Sequence, residues 1–151
     1  MAFTTTKTDW SPSDFYNIED WERLRDNLIS INSWFRSHNW PKVNLTSMAT
    51  SRGINSLPSV QLINRLEANI KNMYETTGIP ITEFRDSKTW YSRLDSLYSE
   101  NPTYDDWNRW EMFAKRLKES IDYVDTYLYR RTCGTFYSGN NYRVQSFSRG
   151  R

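Results

Sequence analysis

Apolar residues recur at steps of three and four in three stretches of the chain. The first holds Ile18, Trp21, Leu24, Leu28, Ile31 and Phe35, and the second Val60, Ile63, Leu66, Ile70 and Met73. The third holds Trp107, Trp110, Ala114, Leu117, Ile121, Val124 and Leu128. That spacing lines one face of an α-helix, so three amphipathic helices are expected. The third series alternates strictly between three and four, the seam of a bundle or a coiled coil. We read it as the seam of an intramolecular bundle, with packing against another subunit as the alternative.

The polar residues punctuate these stretches. Pro12, Pro58 and Pro102 are followed by Ser13, Ser59 and Thr103. The residue before a proline is driven from the helical region, and a following Ser or Thr can cap the first turn. Helices are therefore expected to start near residues 13, 59 and 103. Asn39-Trp40-Pro41 predicts the end of the first, and Gly78 with Pro80 the end of the second. The third is expected to run to about Arg130.

Aligning Glu22, Glu67 and Glu111, which lie 45 and 44 positions apart, suggests related segments of roughly 45 residues. Trp21, Leu66 and Trp110 then fall level and are expected in the core. Glu67 with Lys71, and Glu111 with Lys115, are spaced for exposed ion pairs.

Between these stretches, residues 42–57 are rich in Ser, Thr and Asn and read as loop. Lys88 to Ser99 has the apolar spacing of a short extra helix. Thr132–Tyr137 and Tyr142–Phe147 are strand-like around Ser138-Gly139-Asn140-Asn141, which predicts a β-hairpin. The expected fold is mainly α: a three-helix bundle-like body over residues 1–130 and a basic hairpin tail over 131–151.

Aromatic residues make up 16% of the 151-residue chain and compensate for a modest apolar content of 37%, since each buried ring removes a large area from water. All 18 acids lie at or before Asp125, whereas Arg130, Arg131, Arg143, Arg149 and Arg151 follow with no acid among them. A basic end on a mildly acidic body can seek nucleic acid or an acidic protein surface. No apolar run approaches the ~20 residues of a membrane span, and no apolar leader opens the sequence. A single Cys133 allows no internal disulfide, which fits a reducing cytoplasm.

Chemistry-bearing motifs are sparse. There is no phosphate loop, dinucleotide fingerprint or zinc spacing, and His38 is the only histidine. No cofactor and no metal are expected. Paired carboxylates are the remaining catalytic option: Glu19 with Glu22, Asp105 with Asp106, and Glu67 or Glu111, arranged as in glycoside hydrolysis. Acids near helix starts have a simpler explanation in the helix dipole. A small cell-wall hydrolase is therefore the least favoured reading.

Several segments resemble tail and baseplate structural proteins of bacteriophages that infect Gram-positive hosts. They are Lys7-Thr8-Asp9-Trp10, Asp14-Phe15-Tyr16-Asn17, Ile63-Asn64-Arg65-Leu66-Glu67-Ala68-Asn69-Ile70, Asp106-Trp107-Asn108-Arg109-Trp110-Glu111 and Cys133-Gly134-Thr135-Phe136-Tyr137-Ser138-Gly139. The first helix departs from the pattern, with Glu19-Asp20 where the others have Asn-Arg. The resemblance implies a non-catalytic virion subunit of tail, baseplate or neck, made in the host cytoplasm and working between other virion proteins. Assembled homo-oligomers are expected, with no membrane. Residues expected to meet a partner are Arg130, Arg131, Phe136, Tyr137, Tyr142, Arg143, Phe147 and Arg149. The alternative reading is a nucleic-acid-binding or packaging accessory protein using the same basic tail.

Overall fold

The computed structural model describes residues 2–41, 43–49, 58–79, 81, 88–91 and 102–129. It divides into two compact units, Met1–Leu117 and Lys118–Arg151. The described part is mainly helical, with no strand among the described residues. Helix α1 is Ile18–Ser37, α2 is Val60–Thr77 and α3 is Tyr104–Tyr123, continued by a π-helical segment Val124–Tyr129. The expected hairpin tail, residues 131–151, lies outside the described residues. Lys88–Tyr91, the described start of the expected extra helix, is not helical, and the rest of that stretch also lies outside them.

Two of the three expected starts stand where proline placed them. Ser59 caps α2 by accepting from the Leu62 amide at 3.4 Å. Thr103 precedes α3, and its own amide donates to the Asp106 carboxylate at 3.0 Å. The first start is four residues later than expected. Asn17 caps α1, accepting from the Asp20 amide at 3.0 Å, while the Asn17 amide donates back to Asp20 at 3.2 Å. This reciprocal box satisfies two donors at once. Ser13 is instead part of a turn, its hydroxyl 2.9 Å from that of Ser11. The end of α1 also has a definite chemistry. Asn39 takes the left-handed conformation at φ 54°, and the Trp40 amide returns to the Phe35 carbonyl at 2.9 Å, the pattern of a Schellman stop. Gly78 does the same service for α2 at φ 61°.

The caps at 17, 59 and 103 set the register of the core. Within the first unit the buried positions are Trp21, Leu24, Leu28, Ile31 and Phe35 on α1, and Ile63, Leu66, Ile70 and Met73 on α2. On α3 they are Trp107, Trp110, Phe113, Ala114 and Leu117. Each series opens four residues past its cap, so Trp21 stands level with Ile63 and Trp107, and Leu24 with Leu66 and Trp110. Trp21, Leu66 and Trp110 are all buried, but alignment on the glutamates is out by three residues in the first segment. Level with Glu67 and Glu111 on this count is Arg25, not Glu22.

Non-helical stretches of chain are held against the helices by asparagine side chains. Asn27 accepts from the Thr4 amide at 2.7 Å and donates to the Thr4 carbonyl at 2.8 Å. Asn69 does the same to Thr46, Asn64 to Trp90 and Asn108 to Trp10, all at 2.8 to 2.9 Å. A carboxamide presents one acceptor and two donors in a plane, so it can satisfy both the N–H and the C=O of one backbone residue, as a neighbouring strand would. The segments so held bring Trp10 and Trp90 into the core, and Met48 joins them where its carbonyl accepts from Trp21 Nε1 at 3.3 Å.

Candidate functional site

Two arginine–carboxylate centres cross the helix interfaces. Arg109 on α3 grips Glu67 on α2 with both terminal nitrogens, one at 3.2 Å, and Trp110 Nε1 donates to the same carboxylate at 3.0 Å. The side chains of Arg109 and Glu67 are 9% and 2% exposed. Arg23 on α1 meets Glu111 on α3 through Nε at 3.1 Å and Nη2 at 2.6 Å, and reaches Asp20 at 2.6 Å with its third nitrogen. Glu111 is fully enclosed. Charges this far from water persist only when paired and hydrogen-bonded. The expected exposed pairs of Glu67 with Lys71 and Glu111 with Lys115 are thereby corrected: both glutamates face inward, and Lys71 stands by Glu75 at 3.8 Å instead.

The electrostatics follow from burial and partners. Burial pushes the Glu111 carboxyl up, and the Arg23 guanidinium only partly offsets it. Burial alone would lower Arg23, but Glu111 and Asp20 outweigh it and hold the guanidinium more firmly protonated. Burial, reinforced by Glu111 and Asp20, pushes the Tyr16 phenol far above its ordinary value. Burial likewise pushes the Asp106 carboxyl up, yet the Lys88 ammonium at 2.9 Å and Thr103 outweigh it and hold the group below its ordinary value.

The carboxylates considered for catalysis are thus dispersed among structural tasks. Glu19 and Asp105 are exposed in the first turns of α1 and α3. Glu22 lies 3.8 Å from Arg25, and Asp106, Glu67 and Glu111 are held as described. His38 stacks on Trp34 at 4.1 Å, and Cys133 lies outside the described residues. Among the described residues no three His, Cys, Asp or Glu side chains gather to hold a metal ion, and no helix is long and apolar enough to cross a membrane. A groove of about 580 Å³ runs beside α2, lined by Asn64, Glu67, Lys71, Asn72, Glu75 and Lys88 among others. Its charged groups are engaged with one another or with Arg109 and Asp106.

The surface carries a feature that periodicity could not reveal. Phe15 is 94% exposed, while the adjacent Tyr16 lies stacked on Trp107 at 3.3 Å. Loop aromatics have no partner in a helical pattern, so nothing in the sequence sorts Phe15 from Tyr16. The eight residues expected to meet a partner, Arg130, Arg131, Phe136, Tyr137, Tyr142, Arg143, Phe147 and Arg149, all lie outside the described residues. No protein-family model matches this chain, and no curated protein or solved structure shows a match to it.

Proposed function

We propose that this chain is a non-catalytic structural or adaptor subunit that acts by protein–protein assembly, in the tail, baseplate or neck of a phage particle. The observation that carries the assembly reading is the outward Phe15, an apolar ring held in water beside a firmly packed core. Supporting it, the enclosed acids Glu67 and Glu111 are occupied by arginines of neighbouring helices. The particle itself is inferred from the likeness of the Trp10, Asn64–Glu67 and Asn108–Glu111 segments to phage structural proteins.

In the same reading the three helical segments are copies of one unit, spaced 42 and 44 residues apart by their caps. The arginine-rich tail from Arg130 onward is, in this reading, the assembly element. The test is deletion of residues 131–151, with mass spectrometry of purified particles and circular dichroism of the free chain. A folded helical body that no longer enters particles is the expected result. Undiminished incorporation would defeat the role of the tail, and absence of the full-length chain from particles would defeat the virion reading.

The acid-free run of five arginines supports a second reading, nucleic-acid binding. Affinity for an oligonucleotide that falls steeply with salt would favour it.

A further inference from the structure

Single exposed apolar side chains are ordinary on protein surfaces. Phe15 differs because the backbone on both sides of it is held. Before it, the Ser11 amide and hydroxyl donate to the Asp14 carboxylate at 2.8 and 3.0 Å, and the Asp14 amide returns to the Ser11 carbonyl at 3.1 Å. Lys7 adds an ion pair to Asp14 at 3.2 Å. After it, Tyr16 is packed on Trp107 and Asn17 is locked in the capping box of α1. The ring is therefore presented by a defined turn, as an interface anchor is.

The charge around it names the occupant. Asp9 and Glu19 are exposed and make no ion pair among the described residues, and Asp14 carries only the partly exposed Lys7. An exposed aromatic ring with carboxylates at positions 9, 14 and 19 along the same stretch of chain suits arginine, whose planar cation stacks on rings and grips carboxylates. We propose that Phe15 with Asp9, Asp14 and Glu19 forms a docking site for the arginine-rich C-terminal segment, residues 130–151, of a second copy of this chain. That segment holds five arginines and no acid, while the remainder of the chain has three more acids than bases. Its 22 residues can span up to about 70 Å when extended, ample to reach a neighbour. The backbone amide and hydroxyl of Ser11, together with Lys7, hold the Asp14 carboxyl below its ordinary value.

The inference rests on the assembly reading but is tested apart from it. Sedimentation velocity of the full-length chain is measured over a wide concentration range at about 0.1 M and about 1 M salt, between which the screening length falls from ~10 to ~3 Å. Concentration-dependent association at the lower salt, weakened at the higher, is expected. Phe15→Ser should weaken it about thirtyfold, as loss of an anchor does, with unchanged circular dichroism. A labelled peptide of residues 130–151 should bind the full-length chain and lose a similar factor against the Phe15→Ser chain. A chain that stays monomeric throughout, or a peptide that binds both chains equally, would overturn the inference. So would association that requires added oligonucleotide, which points to nucleic acid instead. Particles that take up the Phe15→Ser chain undiminished would sink this inference and remove Phe15 as support for the assembly reading, which the deletion of residues 131–151 tests separately.

Discussion

Glu67 shows how one buried carboxylate can be tied to three donors. Two come from Arg109 and one from the Trp110 indole, and the glutamate is 2% exposed. Removing the acid alone leaves a guanidinium that is itself only 9% exposed with no hydrogen-bonded carboxylate, Asp106 standing 3.9 Å away. Glu67→Ala should therefore destabilise the chain by about 3–5 kcal/mol, the usual cost of breaking one side of a buried pair. The double change Glu67→Met with Arg109→Met removes both charges and should cost distinctly less. Urea midpoints of the two variants decide the point. A single variant as stable as the parent would mean that water reaches Arg109 freely. The sequence showed these glutamates but not their direction. At four-residue spacing from Lys71 and Lys115 they match exposed pairs, and only the neighbouring helix, supplying an arginine, turns them inward.

Helix α1 illustrates which part of an element a sequence displays. Its apolar face was legible because Trp21, Leu24, Leu28, Ile31 and Phe35 keep the helical step, and all five are buried. Its start was not, because two candidates compete within five residues. Ser13 follows a proline, but Asn17 has Asp20 three positions on, and a carboxylate at that point completes a reciprocal box. Asn17→Ala should cost about 0.5–2 kcal/mol, whereas Ser13→Ala should leave the midpoint nearly unmoved. Equal effects would place the cap wrongly. The same limit hid the asparagine clamps. Asn27, Asn64, Asn69 and Asn108 read as polar helix residues, and their partners Thr4, Trp90, Thr46 and Trp10 sit 23, 26, 23 and 98 positions away. A side chain that satisfies a backbone N–H and C=O at such distances leaves no periodic trace.

For the molecule as a whole, the buried acids set opposing dependences on pH. Asp106 is held below its ordinary value of 3.8 because Lys88 and Thr103 outweigh the effect of burial. A depressed carboxyl contributes stability above its unfolded pKa and loses it as pH falls through the folded value. Glu111 has the opposite sign. Burial raises it above 4.5, so the native state binds the proton more readily than the unfolded chain does. Between the unfolded and the raised folded value, its contribution therefore declines as pH rises. Urea midpoints of the parent, Asp106→Asn and Glu111→Gln should separate the two. Asp106→Asn is expected to flatten the loss of stability on acidification below about pH 4, near the unfolded carboxyl value. Glu111→Gln keeps a hydrogen-bond acceptor for Arg23 but removes the titration. Relative to the parent it should therefore gain as pH rises above the unfolded Glu value. A Glu111→Gln profile parallel to the parent from acid to neutral pH would mean that Glu111 titrates alike in both states. Arg23 would then compensate fully for both its burial and the nearby Asp20 charge, and the α1–α3 contact would be insensitive to protons.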